Sequence, residues 1–106
     1  MFCKIVKGDF NTEFVYEDDQ VVAFKDINPE APVHVLIIPR GHFDTIKEVD
    51  NEQLIGRLFT AAKEVGKKLD IKDYRLVINN GEEAGQTVSH LHLHILGGRK
   101  MNWPPG

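Results

Sequence analysis

Apolar and polar positions alternate in short runs along most of this chain, and only one stretch repeats at helical spacing. Phe14-Val15-Tyr16 and Val21-Val22-Ala23-Phe24 flank the polar patch Glu17-Asp18-Asp19-Gln20. Strand formers on both sides of an Asp-rich turn predict a β-hairpin. Two prolines in Asp26-Ile27-Asn28-Pro29-Glu30-Ala31-Pro32 forbid regular pairing there and predict a loop. Val33 to Ile38 predicts a third strand, which stops at Pro39. Tyr74 to Asn79 and His90 to Leu96 alternate again, with the polar loop 80–89 and its Gly81 and Gly85 between them.

Residues 50–69 predict the one long helix. Leu54, Leu58 and Ala62, with Ile55, Phe59, Val65 and Leu69, recur three and four residues apart and make one face apolar. Asp50 is the expected N-cap, with Gln53 three residues on to complete a capping box. Gly56 and Gly66 each cost about 1 kcal/mol against alanine, which burial of the apolar face has to exceed. A short helix is expected from Phe2 to Lys7. Five mostly consecutive strands with one long and one short helix predict an α+β fold on a five-stranded antiparallel sheet.

Composition narrows the class. The 106 residues are the length of one domain, expected to span 1–106. Thirteen basic against sixteen acidic side chains leave a net charge of −3, which gives no electrostatic footprint for nucleic acid or an anionic membrane. The one cysteine, Cys3, cannot form an internal disulfide and fits a reducing, cytoplasmic setting. The longest aliphatic run, Val35-Leu36-Ile37-Ile38, is far short of the ~20 residues that cross a bilayer. No leader segment is expected at the N-terminus.

Three of five histidines fall within five residues, in His90-Leu91-His92-Leu93-His94-Ile95-Leu96. A strand alternates with period two, so the three imidazoles project from one face and Leu91, Leu93 and Ile95 from the other. Three uses compete for such a strand: a solvated face, a metal site, or catalysis by a central nucleophile with helpers. The outer histidines lie ~13 Å apart along an extended chain, too far to meet one tetrahedral ion easily. Catalysis accounts better for the third histidine.

His90-Leu91-His92-Leu93-His94-Ile95-Leu96 resembles the His-φ-His-φ-His-φ-φ signature of the histidine triad (HIT) nucleotide-binding proteins. The likeness extends through residues 26–34, the loop 79–89 and the tail Gly97 to Gly106, and that tail is similar to the Hint branch in particular. The resemblance implies a homodimer with a continuous sheet and a purine nucleotide substrate. It implies hydrolysis of the P–N bond of nucleoside 5′-phosphoramidates, with dinucleoside polyphosphate hydrolysis or nucleotide-dependent regulation as the alternatives. By the same resemblance His92 attacks the α-phosphorus, His94 donates to a phosphate oxygen, His90 orients its neighbour, and His34 joins them. Asn79, Gly85 and Gln86 lie in the phosphate loop. Thr87 stands where the Hint branch usually carries a serine that protonates the departing amine. Asp26 takes the ribose hydroxyls, and Phe2, Ile5, Phe24 and Ile27 line the base pocket. Some relatives join histidines to an N-terminal C-x-x-C pair at zinc. Here only Cys3 is present, so neither Cys3 nor His42 is assigned to a metal and no cofactor is expected. The tail, broken by Pro104-Pro105, is expected to leave the sheet as an extended arm that docks Trp103 on the partner protomer.

Overall fold

The computed structural model describes residues 2–6 and 13–106. Its sheet has strands β1 (Tyr16–Glu17), β2 (Val21–Lys25), β3 (Val33–Pro39), β4 (Tyr74–Ile78) and β5 (Leu93–Gly97). They pair antiparallel throughout in the order β1-β2-β3-β5-β4. The β1–β2 turn forms where the Asp patch predicts it. Asp18 Oδ1 accepts the amides of Gln20 at 2.7 Å and Val21 at 2.9 Å, and Tyr16 donates its hydroxyl to Oδ2. Partial burial pushes the Asp18 carboxyl up, but these donors outweigh it and hold the group below its usual range. The same contact raises the Tyr16 phenol.

Helix α1 (Phe2–Val6) is a single short segment, and its expected extension to Lys7 lies outside the described residues. Helix α2 runs Glu52–Lys68. Its N-cap is Asn51 rather than Asp50, because the Asn51 side-chain oxygen accepts the Gln53 and Leu54 amides at 2.9 and 3.3 Å. Leu58, Ala61, Ala62 and Val65 form the buried face. Phe59, counted in the apolar stripe from sequence, is 41% exposed, since it sits about 100° round from Leu58. Gly66 has a reason to be glycine: a Cβ there would lie 2.9 Å from the Tyr74 ring, where the helix approaches β4.

The two faces of the sheet do different work. On one, α2 closes over Val21, Ala23, Val35, Ile37, Leu91, Leu93 and Ile95, the main core. On the other, Phe2 and Ile5 of α1 pack on Val22, Phe24, Leu36 and Ile38. Strand alternation puts His34 and His94 on this second face, beside Leu36. No helix among the described residues is long and apolar enough to cross a membrane.

Candidate active site

The histidine segment is only half a strand. The β3–β5 ladder begins at Ile37 opposite Leu93, so residues 90–92 approach the sheet before pairing starts. Their backbone is held instead by His90 N–H to Val88 O at 2.8 Å and Leu91 N–H to Phe43 O at 2.6 Å. Alternation still holds through this stretch: Leu91, Leu93 and Ile95 enter the α2-side core, while the rings of His90 and His92 pack edge-on against Phe2 on the opposite side.

Main-chain groups give His92 and His94 opposite tautomers. His92 Nδ1 lies 2.7 Å from the carbonyl oxygen of His90. A carbonyl only accepts, so Nδ1 carries the proton and Nε2 keeps its lone pair. His34 Nδ1 accepts the Glu30 amide at 3.0 Å, which puts the His34 proton on Nε2. That proton goes to His94 Nδ1 at 2.9 Å, with Asp26 Oδ2 beside it at 3.4 Å. His94 therefore carries its own proton on Nε2. A ring nitrogen with a free lone pair thus stands next to a hydrogen-bond donor, ring centroids 4.8 Å apart. Burial, reinforced by repulsion from charge on His92 and His34 and only partly opposed by Asp26, lowers the His94 imidazole to about 4. It therefore stays neutral near neutral pH. Burial lowers His90 as well.

His92, His94 and Thr87 open into a cavity of about 610 Å³ whose walls include Phe2, Ile5, Phe24, Leu36 and Val88. Asp26 and Asn28 also line it: the Asp26 carboxylate lies within 4.8 Å of the His34 and His94 ring nitrogens that face each other, and its Oδ1 accepts the Asn28 amide at 2.9 Å. Ile27 also lines the cavity, at 85% exposure and so on its rim. Asn79, Gly85 and Gln86 do not border this cavity. Gln86 organises the loop: Oε1 accepts the Gly81 amide at 2.8 Å, and Nε2 donates to Asp44 O and Val88 O at 2.6 and 3.0 Å. Those bonds engage both ends of its amide. Gly85 adopts φ 102°, left-handed backbone natural to glycine, and the Asn79 amide reaches its carbonyl at 3.5 Å. Trp103 is 83% exposed on its own protomer, while Arg75 of β4 holds the tail through the Asn102 carbonyl at 2.8 Å.

Two parts of the site leave little trace in the sequence. The Glu30 amide is a main-chain group, so residue type does not reveal it. His42 is visible only as the second histidine, with His34, outside the strand pattern. Its Nδ1 lies 3.2 Å from His90 Nδ1, and its Nε2 lies 2.6 Å from Asp44 Oδ1. The His90 ring thus faces His42, whereas the His90 carbonyl orients His92.

Among the described residues, Asp26, His34 and His94 form a group whose donor atoms lie within 4.8 Å of one another. A metal there would need both His34 Nε2 and His94 Nδ1 as lone-pair donors, but the Glu30 amide leaves a proton on His34 Nε2 and a hydrogen bond between them. The group fits a proton network and not a metal set. The Cys3 side chain lies outside those described.

Comparison with known proteins agrees with this geometry. Residues 7–101 match the HIT domain model. An uncharacterized HIT-like protein of Synechocystis sp. is 54% identical over 109 residues, spanning 100% of this chain and 96% of the relative. A 14 kDa zinc-binding protein of Zea mays is 47% identical, over 100% of this chain and 87% of the relative. The crystal structure of a HIT family hydrolase from Legionella pneumophila Philadelphia 1 superposes with a TM-score of 0.94 at 44% identity, covering 100% and 98% of the two chains. With the triad on the β5 approach and the matching fold, the chain belongs to the HIT domain family.

Proposed function

We propose that this protein hydrolyses the P–N bond of purine nucleoside 5′-phosphoramidates through a nucleotidyl-His92 intermediate. The observation that carries the reading is the pair of opposed tautomers on the wall of a largely apolar cavity. In the first step His92 Nε2 attacks the α-phosphorus, the P–Nε2 bond forms and the P–N bond to the amine breaks. The amine leaves with a proton from the Thr87 hydroxyl, which lines the same cavity as His92 and His94. His94 Nε2–H donates to a phosphate oxygen as charge builds there. In the second step water attacks phosphorus, the P–Nε2 bond breaks, and the water proton restores the hydroxyl. Splitting the displacement in two lowers each barrier. Apolar walls grip the faces of a base, and Asp26, on the cavity lining beside His34 and His94, takes the ribose diol in this reading.

The Hint-like tail supports a phosphoramidate over a dinucleoside polyphosphate as substrate. The open edge of β4, with the tail tied to it at Arg75, supports a homodimer that continues the sheet. Turnover of adenosine 5′-phosphoramidate and of diadenosine polyphosphates, measured side by side, tests the substrate reading. Preference for the polyphosphates would overturn it. In Asp26→Asn the ribonucleotide should lose about 1–2 kcal/mol of binding and the 2′-deoxynucleotide much less. Equal losses would remove Asp26 from ribose recognition. Light scattering of the purified protein tests the dimer.

A further inference from the structure

We propose that His42 and Asp44 form a positioning pair that aims the nucleophile, acting on His92 through the backbone of His90. The inference rests on the reading of His92 as the attacking group. It begins from a feature of the site: the group that fixes the His92 tautomer, the His90 carbonyl, belongs to a segment that precedes the β3–β5 ladder, where His90 meets β3 through a bond to the Pro39 backbone. Pairing with β3 starts only at Leu93.

Residues 42–44 brace that segment, alongside the Val88 carbonyl on the His90 amide and the Pro39 backbone on the His90 ring. The Phe43 carbonyl accepts the Leu91 amide at 2.6 Å, immediately beyond the His90 carbonyl. The His42 ring meets the His90 ring edge to face, with centroids 4.8 Å apart and Nδ1 atoms 3.2 Å apart. The Asp44 carboxylate accepts a hydrogen bond from His42 Nε2–H at 2.6 Å, which leaves the His42 Nδ1 lone pair to face His90 and fixes the ring plane. The Asp44 carbonyl accepts Gln86 Nε2, and the same Gln86 atom donates to Val88 O, two residues before His90. One three-residue stretch therefore braces both the nucleophile's tautomer-setting carbonyl and the loop that leads into it.

Neither side chain borders the cavity that holds His92 and His94. A role in substrate binding would require contact there. A role in aim requires only that His92 Nε2 shift when the brace is lost, and misplacement of a reacting atom by 1 Å can cost about 100-fold in rate. The side-chain chemistry also says which replacement should serve: asparagine offers its amide near the position of His42 Nδ1 and can keep the contact with His90, whereas alanine cannot.

The test uses the full chain and four variants, His42→Ala, His42→Asn, Asp44→Ala and His92→Ala, in single-turnover and steady-state assays with adenosine 5′-phosphoramidate. Binding of AMP is measured alongside. The expected result is a loss of about tenfold or more in nucleotidyl-histidine formation and kcat for His42→Ala, with KM and AMP affinity within about twofold, and substantial recovery in His42→Asn. Asp44→Ala should show a smaller loss of the same kind, and it carries the test if His42→Ala does not fold. Retained activity in His42→Ala, equal losses in kcat and AMP affinity, or no recovery in His42→Asn would overturn the proposal. Activity surviving in His92→Ala would instead overturn the nucleophile reading beneath it, so the two failures are distinguishable.

Discussion

His92 donates its Nδ1 proton to the carbonyl oxygen of His90 at 2.7 Å, and this single bond leaves the lone pair of the opposite nitrogen free. In the proposed reaction the bond strengthens as the ring gains positive charge, so the main chain would stabilise the transition state as well as the tautomer. Replacing His92 with alanine or glycine should abolish turnover while AMP affinity stays within a few-fold, because the ring contributes few ground-state contacts. Rapid quenching of wild-type protein with substrate should trap a nucleotide on one histidine. A His92→Ala enzyme with more than about a tenth of wild-type kcat would contradict the assignment.

His34 should matter through His94 rather than through substrate. Without the His34 Nε2 proton, His94 Nδ1 loses its partner, and its own proton is no longer confined to the nitrogen that serves the phosphate. His34→Ala is therefore expected to lower kcat by about tenfold or more, the scale of a buried polar group left unpaired. His34→Gln, whose amide can donate from a similar position, should recover part of the loss. Steady-state kinetics of both variants decide the point, and equal defects would show that the ring shape is what counts.

Stability should fall in mild acid. His94 titrates near 6.5 when unfolded and at about 4 when folded, so between those values the unfolded chain binds more protons. Its contribution is fully present above 6.5 and is lost as pH falls through about 4. Partial exposure reduces the full effect of such a shift to about 2 kcal/mol. Urea unfolding of wild type and His94→Gln at neutral pH and near pH ~4.5 should show a smaller acid-induced loss in the variant. Parallel losses would assign the effect to other groups, His90 among them.

Chelation should leave activity unchanged. The donor atoms of Asp26, His34 and His94 are committed to one another and to the Glu30 amide. Elemental analysis with assays before and after EDTA checks this. Stoichiometric zinc, with activity lost on chelation and restored by zinc, would refute it.

Removal of residues 100–106 should preserve AMP binding but change the ratio of kcat/KM between a small phosphoramidate and a bulky aminoacyl one. The reason is Trp103, a large apolar surface left 83% exposed on its own protomer while the neighbouring Asn102 is tethered to Arg75. A ratio unchanged within about twofold would leave the tail no part in specificity.

The period-two pattern from His90 to Ile95 determined by itself that the imidazoles share one face and the aliphatics the other, because alternation is a property of extended backbone and needs no partner. The α2 stripe was legible for the same reason, since helical geometry is local. Local rules failed by small steps where side chains choose between neighbours: Asn51 rather than Asp50 caps α2, and Phe59 turns outward. The resemblance carried His34 and Asp26 to the site, yet it did not say what their atoms do. Only the tertiary structure decided the tautomers, the commitment of Gln86 to loop bonds, and the bracing of His90 by residues 42–44. Those depend on main-chain carbonyls and amides such as those of His90 and Glu30. Every residue carries such groups, so sequence cannot mark them, and they acquire a role only when folding brings distant segments within hydrogen-bonding distance.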